Sequence, residues 1–146
     1  MASLPTPPKT IVILTSKFPS AQFMAQGMRE ESEKRGVKVL LYLEYESGNR
    51  DFGAIAARVK EANGDFLWVG SLGLESNQVL EALRKLDYTP KNQFHLYPAP
   101  GPLALSPDAK NALCSTFLEP AEPFMSRPGV RRIAAAYKER ATKANL

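Results

Sequence analysis

Few side chains in this sequence are equipped for chemistry. There is one histidine, His95, one cysteine, Cys114, and a serine, Ser71, in the setting Gly70-Ser-Leu-Gly73. A hydroxyl or thiol nucleophile needs a base within hydrogen-bond reach. Ser71 lacks the Gly-x that precedes the nucleophile in a strand–turn–helix elbow, and no spare histidine is left to activate it. His95 lies inside an apolar run, where a histidine reads as a packed, hydrogen-bonded residue. Cys114, between Leu113 and Ser115, reads as a small buried hydrophobe. Glu44, Glu46 and Asp51 share one loop but lack metal-ligand spacing, so no metal is expected. The turn Thr15-Ser-Lys-Phe-Pro-Ser20 holds no glycine. Its backbone therefore cannot wrap a phosphate as a P-loop or a dinucleotide fingerprint does. No catalytic residue and no cofactor is expected. The residue types point to binding without turnover.

The elements that must position these residues are five short apolar runs: Ile11–Thr15, Val37–Leu43, Phe66–Gly70, Phe94–Tyr97 and Leu113–Phe117. Runs of this length, rich in Val, Ile, Leu and aromatics and bounded by Gly, Pro or Asn, read as buried strands. The first three are each followed by an amphipathic stretch. Ala21 to Arg35 carries Met24, Gly27 and Met28 on one side and stops at Gly36. Asp51 can cap a helix with Phe52, Ile55, Ala56, Val59 and Ala62 at helical spacing. Ser71–Ser76 reads as a polar turn, followed by a helix with Val79, Leu80, Leu83 and Leu86. Pro98–Pro102 is expected to end the fourth strand abruptly, and Ser106–Lys110 to give at most a short helix. Gly129 to Lys143 is a last helix with Val130, Ile133, Ala134 and Tyr137 inward. Strands separated by helices imply crossovers and a mainly parallel sheet. The expected fold is α/β: a three-layer αβα sandwich in strand order 2-1-3-4-5, flavodoxin- or Rossmann-like. Whatever it binds should meet the loops at the strands' carboxyl ends. Phosphorelay receivers share that order, but they need acidic residues after the first strand and an Asp ending the third. Here those positions hold Ser16, Lys17 and Gly70.

A chain of 146 residues with 44% hydrophobic and 23% charged residues is enough for one globular domain. Nothing approaches the roughly 18 consecutive apolar residues of a membrane span. The net charge is +4. Arg131, Arg132, Lys138, Arg140 and Lys143 crowd the last helix without an aromatic platform, and read as a solvated face with no nucleic-acid partner. The opening residues, with three prolines within 1–9, read as an extended lead-in. They show no apolar core or cleavage pattern of a signal peptide.

Several stretches, in order, resemble the second lobe of a type I periplasmic binding protein, nearest the branched-chain amino-acid (Liv-type) receptors of ABC transporters. They are Lys9–Leu14, Phe18-Pro-Ser20, Gln26–Glu31, Lys34–Val39, Asn49–Gly53, Ile55–Lys60, Asp65–Gly70, and the tail from Pro128 through Ala136–Arg140. The resemblance implies a lead-in at residues 1–9 on the hinge side and one ligand-binding lobe over 10–146. It also implies a partner first lobe, a membrane permease and a periplasmic or extracellular parent. Ligand contacts are implied on the loops after the strands. Ser20 falls where the family often has an aromatic residue, with Phe18 able to substitute. Ser71 and Leu72 match the loop after the third strand. Ala99 and Pro100 match the loop after the fourth, where amino-acid binders often place an acidic residue. That residue's absence favours a neutral or carboxylate-bearing apolar or aromatic small molecule over an α-amino acid, with Tyr97 and His95 nearby.

Two function classes follow. One is a binding module without enzymatic activity, a single jaw of a hinge-closing solute receptor. The other is a stand-alone flavodoxin-like enzyme or regulator, which would need a cofactor or catalytic group on these loops. An exposed surface carrying Phe18, Leu72, Tyr97 and Pro100 also favours self-association.

Overall fold

The computed structural model describes residues 6–115, 126–127 and 129–144. Among the described residues, ten elements alternate along the chain. They are β1 (Thr10–Ser16), α1 (Pro19–Lys34), β2 (Lys38–Tyr45), α2 (Gly53–Ala62) and β3 (Phe66–Gly73). Then follow α3 (Glu75–Arg84), β4 (Gln93–Pro98), α4 (Pro100–Leu105), β5 (Ala112–Cys114) and α5 (Val130–Lys143). The five strands form one sheet in the order β2-β1-β3-β4-β5, and each neighbouring pair runs parallel. Expected order and fold class are both observed.

The sheet is buried on two faces because its central strands are apolar at every position. In β1, Val12 and Leu14 point into a core shared with Ala56 and Val59 of α2, Val79, Leu80 and Leu83 of α3, and Leu103 of α4. Ile11 and Ile13 point the other way, toward Ala21 and Ala25 of α1, with Phe66, Trp68 and Leu96. The Trp68 and Phe94 rings stack at 6.3 Å across β3 and β4. The alternation puts α1 on one face and α2, α3 and α4 on the other. Gly70 has no room for a side chain: an added Cβ would lie 2.6 Å from Thr15 Oγ1 and 2.7 Å from the Trp68 ring.

On β2, which has one partner strand, the register slips. Ile11 faces Val39 and Val12 faces Leu41, so Leu40 is bulged out of the ladder. At the amino-terminal side of the sheet, Asp65 fastens three segments. Its Oδ2 accepts from the Thr10 hydroxyl (2.9 Å) and from the Lys9 and Thr10 amides, its Oδ1 accepts from Lys91 Nζ, and its own amide donates to Thr10 Oγ1. The Lys91 ammonium, helped by Thr10, holds the Asp65 carboxyl below the usual carboxylate range.

The structure adds one element and corrects some local expectations. β4 ends at Pro98 as expected, but the proline-rich segment then forms α4, a helix not expected there, because Pro100 sits in the first turn, where a missing N–H costs nothing. Ser71–Gly73 continues β3 instead of turning. Cys114 is exposed, since β5 is a short edge strand of three residues. The fifth strand was expected to reach Phe117, but Thr116 and Phe117 lie outside the described residues. The chain divides into two units, Met1–Ser115 and Thr116–Leu146. Within the second, α5 carries its apolar stripe, but no residue of the helix is buried. Ile133 is 57% and Tyr137 73% exposed, against the inward placement expected for them.

His95 is fully buried, its Nε2 bonded to Gln93 Oε1 at 2.9 Å, and the Gln93 amide in turn donates to the Asp108 and Lys110 carbonyls. Burial pushes its pKa down to about 4. The ring is thus kept neutral in the folded chain, while the unfolded chain takes up a proton near pH ~6.5. Below that value protons favour the unfolded state, until the folded ring also titrates. Urea unfolding of the full chain should therefore lose roughly 2–3 kcal/mol between pH 7 and pH 4.5 that His95→Gln does not lose. Parallel pH profiles for the two proteins would exclude this account.

Candidate functional site

In a parallel sheet every strand delivers its carboxyl end to the same side. That edge is built here from Lys17–Pro19 after β1, Glu46–Phe52 after β2, Leu74 after β3 and Ala99 after β4. The loops are tied to one another. Ser16 and Ser47 hydroxyls meet at 2.7 Å, and Lys17 Nζ pairs with Glu46 at 2.5 Å. The Lys17 amide donates to the Tyr45 carbonyl at 2.8 Å, and Gln22 donates to Glu44 at 3.0 Å. The loop after β2 is folded on itself by Asn49, which donates to the Asp51 carbonyl. Asp51 Oδ1 in turn accepts from the Gly53 amide at 2.9 Å, but the N-cap of α2 is Phe52, so Asp51, expected as the cap, lies one residue upstream of it.

Glu75 lies at the centre of this bracing. It opens α3 and is only 6% exposed. Its Oε2 accepts from the Tyr45 hydroxyl and the Leu72 amide, each at 2.9 Å, and its Oε1 from the Gly48 amide at 2.8 Å. One carboxylate thus joins β2, the loop after β2 and the end of β3. The positive end of the α3 dipole favours its negative charge. Burial, and next the Glu75 charge, push the Tyr45 phenol far up, so it stays protonated and remains a donor. The Tyr45 ring meets Phe52 edge-on at 5.1 Å.

The end of β3 is shaped by a bulge. Gly70 pairs with Leu96 and Gly73 with Pro98. Ser71 and Leu72 therefore face Tyr97 alone, and Tyr97 adopts a left-handed φ of 52° to close the gap. Gly73, with φ 55°, turns the chain toward α3, and its carbonyl accepts the Ala99 amide at 2.8 Å.

The residues singled out from sequence divide accordingly. Phe18, at the N-cap position of α1, is 43% exposed, and Ser20 in the first turn is exposed. Leu72, Tyr97 and Ala99 are half-buried at the same edge. Ser71 is fully buried, its hydroxyl bonded to that of Ser76 and to the Leu96 carbonyl. Pro100 opens α4, and its side chain lies outside what the structure describes. Sequence reasoning missed Glu75, Tyr45, Arg50 and Leu74. The signal for Glu75 was an acidic residue just before an apolar-periodic stretch, the usual first-turn position. Tyr45 was hidden because the second apolar run was read as ending at Leu43 with Glu44 already in the loop, whereas β2 runs on to Tyr45. A surface pocket of about 350 Å³ opens between the loops after β2 and β3, lined by Asn49, Arg50, Leu72, Leu74, Glu75 and Gln78. Among the described residues, no three His, Cys, Asp or Glu side chains come together as metal ligands.

A family model described as "Periplasmic binding protein" matches residues 6–146. The chain belongs to the periplasmic binding protein family. Over 77 residues it is 30% identical to the Leu/Ile/Val/Thr-binding protein of Salmonella typhimurium, an alignment covering 53% of this chain and 21% of that protein. A leucine-binding protein from Thermotoga maritima superposes with a TM-score of 0.72 at 20% identity, over 91% of this chain and 38% of the other. An ABC-transporter solute-binding protein from R. palustris, solved with 4-hydroxybenzoate, gives a TM-score of 0.55 at 17% identity, over 61% and 25% of the two chains. The periplasmic binding protein lobe thus accounts for the five-stranded order, and the chain spans well under half of the proteins it matches.

Replacing Glu75 by Gln should lower stability by about 1–3 kcal/mol, through three weakened charge-assisted bonds. Amide exchange at Gly48 and Leu72 should accelerate while the β1 amides stay protected. Unchanged exchange at Gly48 and Leu72 would show that the carboxylate does not hold the loops.

Proposed function

We propose that this chain is one lobe of a solute receptor of an ABC-type uptake system. It captures a small apolar or aromatic carboxylate, or an amino acid, by hinge closure and without catalysis. The observation that carries this reading is the carboxyl-end edge itself. Its polar groups are largely consumed in bracing the loops, and what it exposes is Phe18 and Leu74, with Arg50 and half-buried Leu72 beside them. An edge of that kind offers contact surface and no nucleophile–base pair. The names of the relatives, receptors for branched-chain amino acids and a solute-binding protein holding 4-hydroxybenzoate, support the same class of ligand.

The physical picture is two facing loop sets that close and expel water. The second set would come from a partner lobe, and the loaded receptor would deliver to a membrane permease from the periplasm or cell exterior. Phe18, Ser20, Leu72, Tyr97, Ala99 and Pro100 are the proposed ligand-facing positions. Ser71 lies one layer beneath and shapes the β3 bulge. A single jaw bears the ligand's lost translational freedom, roughly 4 kcal/mol or more, with half the contacts. Isothermal titration of the chain with leucine, benzoate and 4-hydroxybenzoate should thus give dissociation constants on the order of millimolar or weaker. Micromolar binding by this chain alone would sink the single-jaw reading.

A further inference from the structure

We propose that Arg50 is the residue of this lobe that recognises a ligand carboxylate, and that Leu72 and Leu74 select an apolar body beside it. The inference rests on the reading of the carboxyl-end edge as a ligand jaw, and it names the chemistry that jaw selects.

The charges on the edge loops single out one side chain. Among the described residues after β1 and β2, the cations are Lys17 and Arg50. Lys17 is neutralised by Glu46 at 2.5 Å. Arg50 makes no hydrogen bond or ion pair with any described residue, although Asp51 is its neighbour in sequence, because Asp51 Oδ1 is turned to the Gly53 amide. A guanidinium offers a planar fork of donors that matches a carboxylate with two parallel bonds. Arg50 stands at the rim of the pocket of about 350 Å³. That volume is at the small end of the roughly 300–1,000 Å³ range of ligand sites.

The rest of the pocket restricts what comes with the carboxylate. Leu72, half-buried at the β3 bulge, and Leu74, 57% exposed, both line the pocket and form its apolar wall. The Asn49 amide is committed to Asp51. The Gln78 side chain has no described partner, so it supplies a donor and an acceptor for a hydroxyl or carbonyl on the ligand. Glu75 also borders the pocket, and three donors on its oxygens offset its repulsion of an incoming anion. One free cation, one apolar wall and one free amide describe a small monocarboxylate with an aliphatic or aromatic body.

The test is nuclear magnetic resonance of the ¹⁵N-labelled 146-residue chain, titrated into the millimolar range with benzoate and with its neutral isostere benzamide. Benzoate should shift the amides of Gly48–Arg50 and Leu72–Leu74 and the Arg50 Nε signal saturably, with benzamide about fivefold weaker, as an exposed charge pair allows. Arg50→Met should leave the remaining spectrum folded and equalise the two ligands. Arg50→Lys should restore part of the preference. Equal binding of benzoate and benzamide by the parent chain, or a preference that survives Arg50→Met, would overturn the assignment while leaving the edge a ligand jaw. If neither compound shifts any edge amide across that range, Arg50 supplies no carboxylate affinity in this lobe and the assignment falls, whereas the single-jaw reading, which expects millimolar or weaker binding, stands.

Discussion

One buried carboxylate holds the working edge of this fold in shape. Loops at the end of a parallel sheet are the part of the architecture least fixed by strand pairing, since no ladder extends beyond the last residue of each strand. Glu75 replaces that missing ladder. It collects the Tyr45 hydroxyl and the amides of Gly48 and Leu72, from three places far apart in sequence. A charged acceptor with three donors holds more firmly than three neutral pairs. Its cost of burial is lowered because it lies at a helix N-terminus, where the backbone already presents positive charge. The pairs Ser16–Ser47 and Lys17–Glu46 extend the same bracing to the loop after β1.

Beneath that edge, the sheet supplies a rigid floor. The two cores are separated by the alternation of β1, whose Ile11, Ile13 and Leu14 are wholly buried. The close approach of Thr15 and Trp68 to Gly70 fixes β1 against β3 near the site. Irregularity is thereby confined to the last residues of β3 and β4. There Ser71 is buried and bonds the Leu96 carbonyl, while Leu72 is half-buried beside it. A pre-set rim of this kind spends little conformational entropy on meeting a partner or ligand.

The sheet and its order were legible because they depend on apolar runs, and those runs are long and unambiguous in Ile11–Thr15 and Phe66–Gly70. The helices α1, α2 and α3 were legible for the same reason, through their period. What escaped were features set by tertiary surroundings. Pro100 and Pro102 read as breakers, yet prolines in a first helical turn lose no bond, and α4 forms across them. Cys114 read as buried from its apolar neighbours, but an edge strand of three residues leaves it exposed. Glu75 looked like one more polar turn residue. Only the fold brings Tyr45 and Gly48 to it, and no local pattern in the sequence encodes that meeting. Phe18 and Leu72 were named through the resemblance, whereas Arg50 was not singled out, because no local pattern marks which cation the folded loops leave beside the pocket.

The slip in register at Leu40 has a consequence for the molecule in concentrated solution. β2 borders the sheet, and a bordering strand with an unbroken row of amides is a template on which other copies can stack into fibrils. Displacing one residue interrupts that row and increases the local twist, so a newcomer cannot lie flat along the full length of the border. The same defect that costs β2 a little regularity thus guards the protein against polymerising through its own margin.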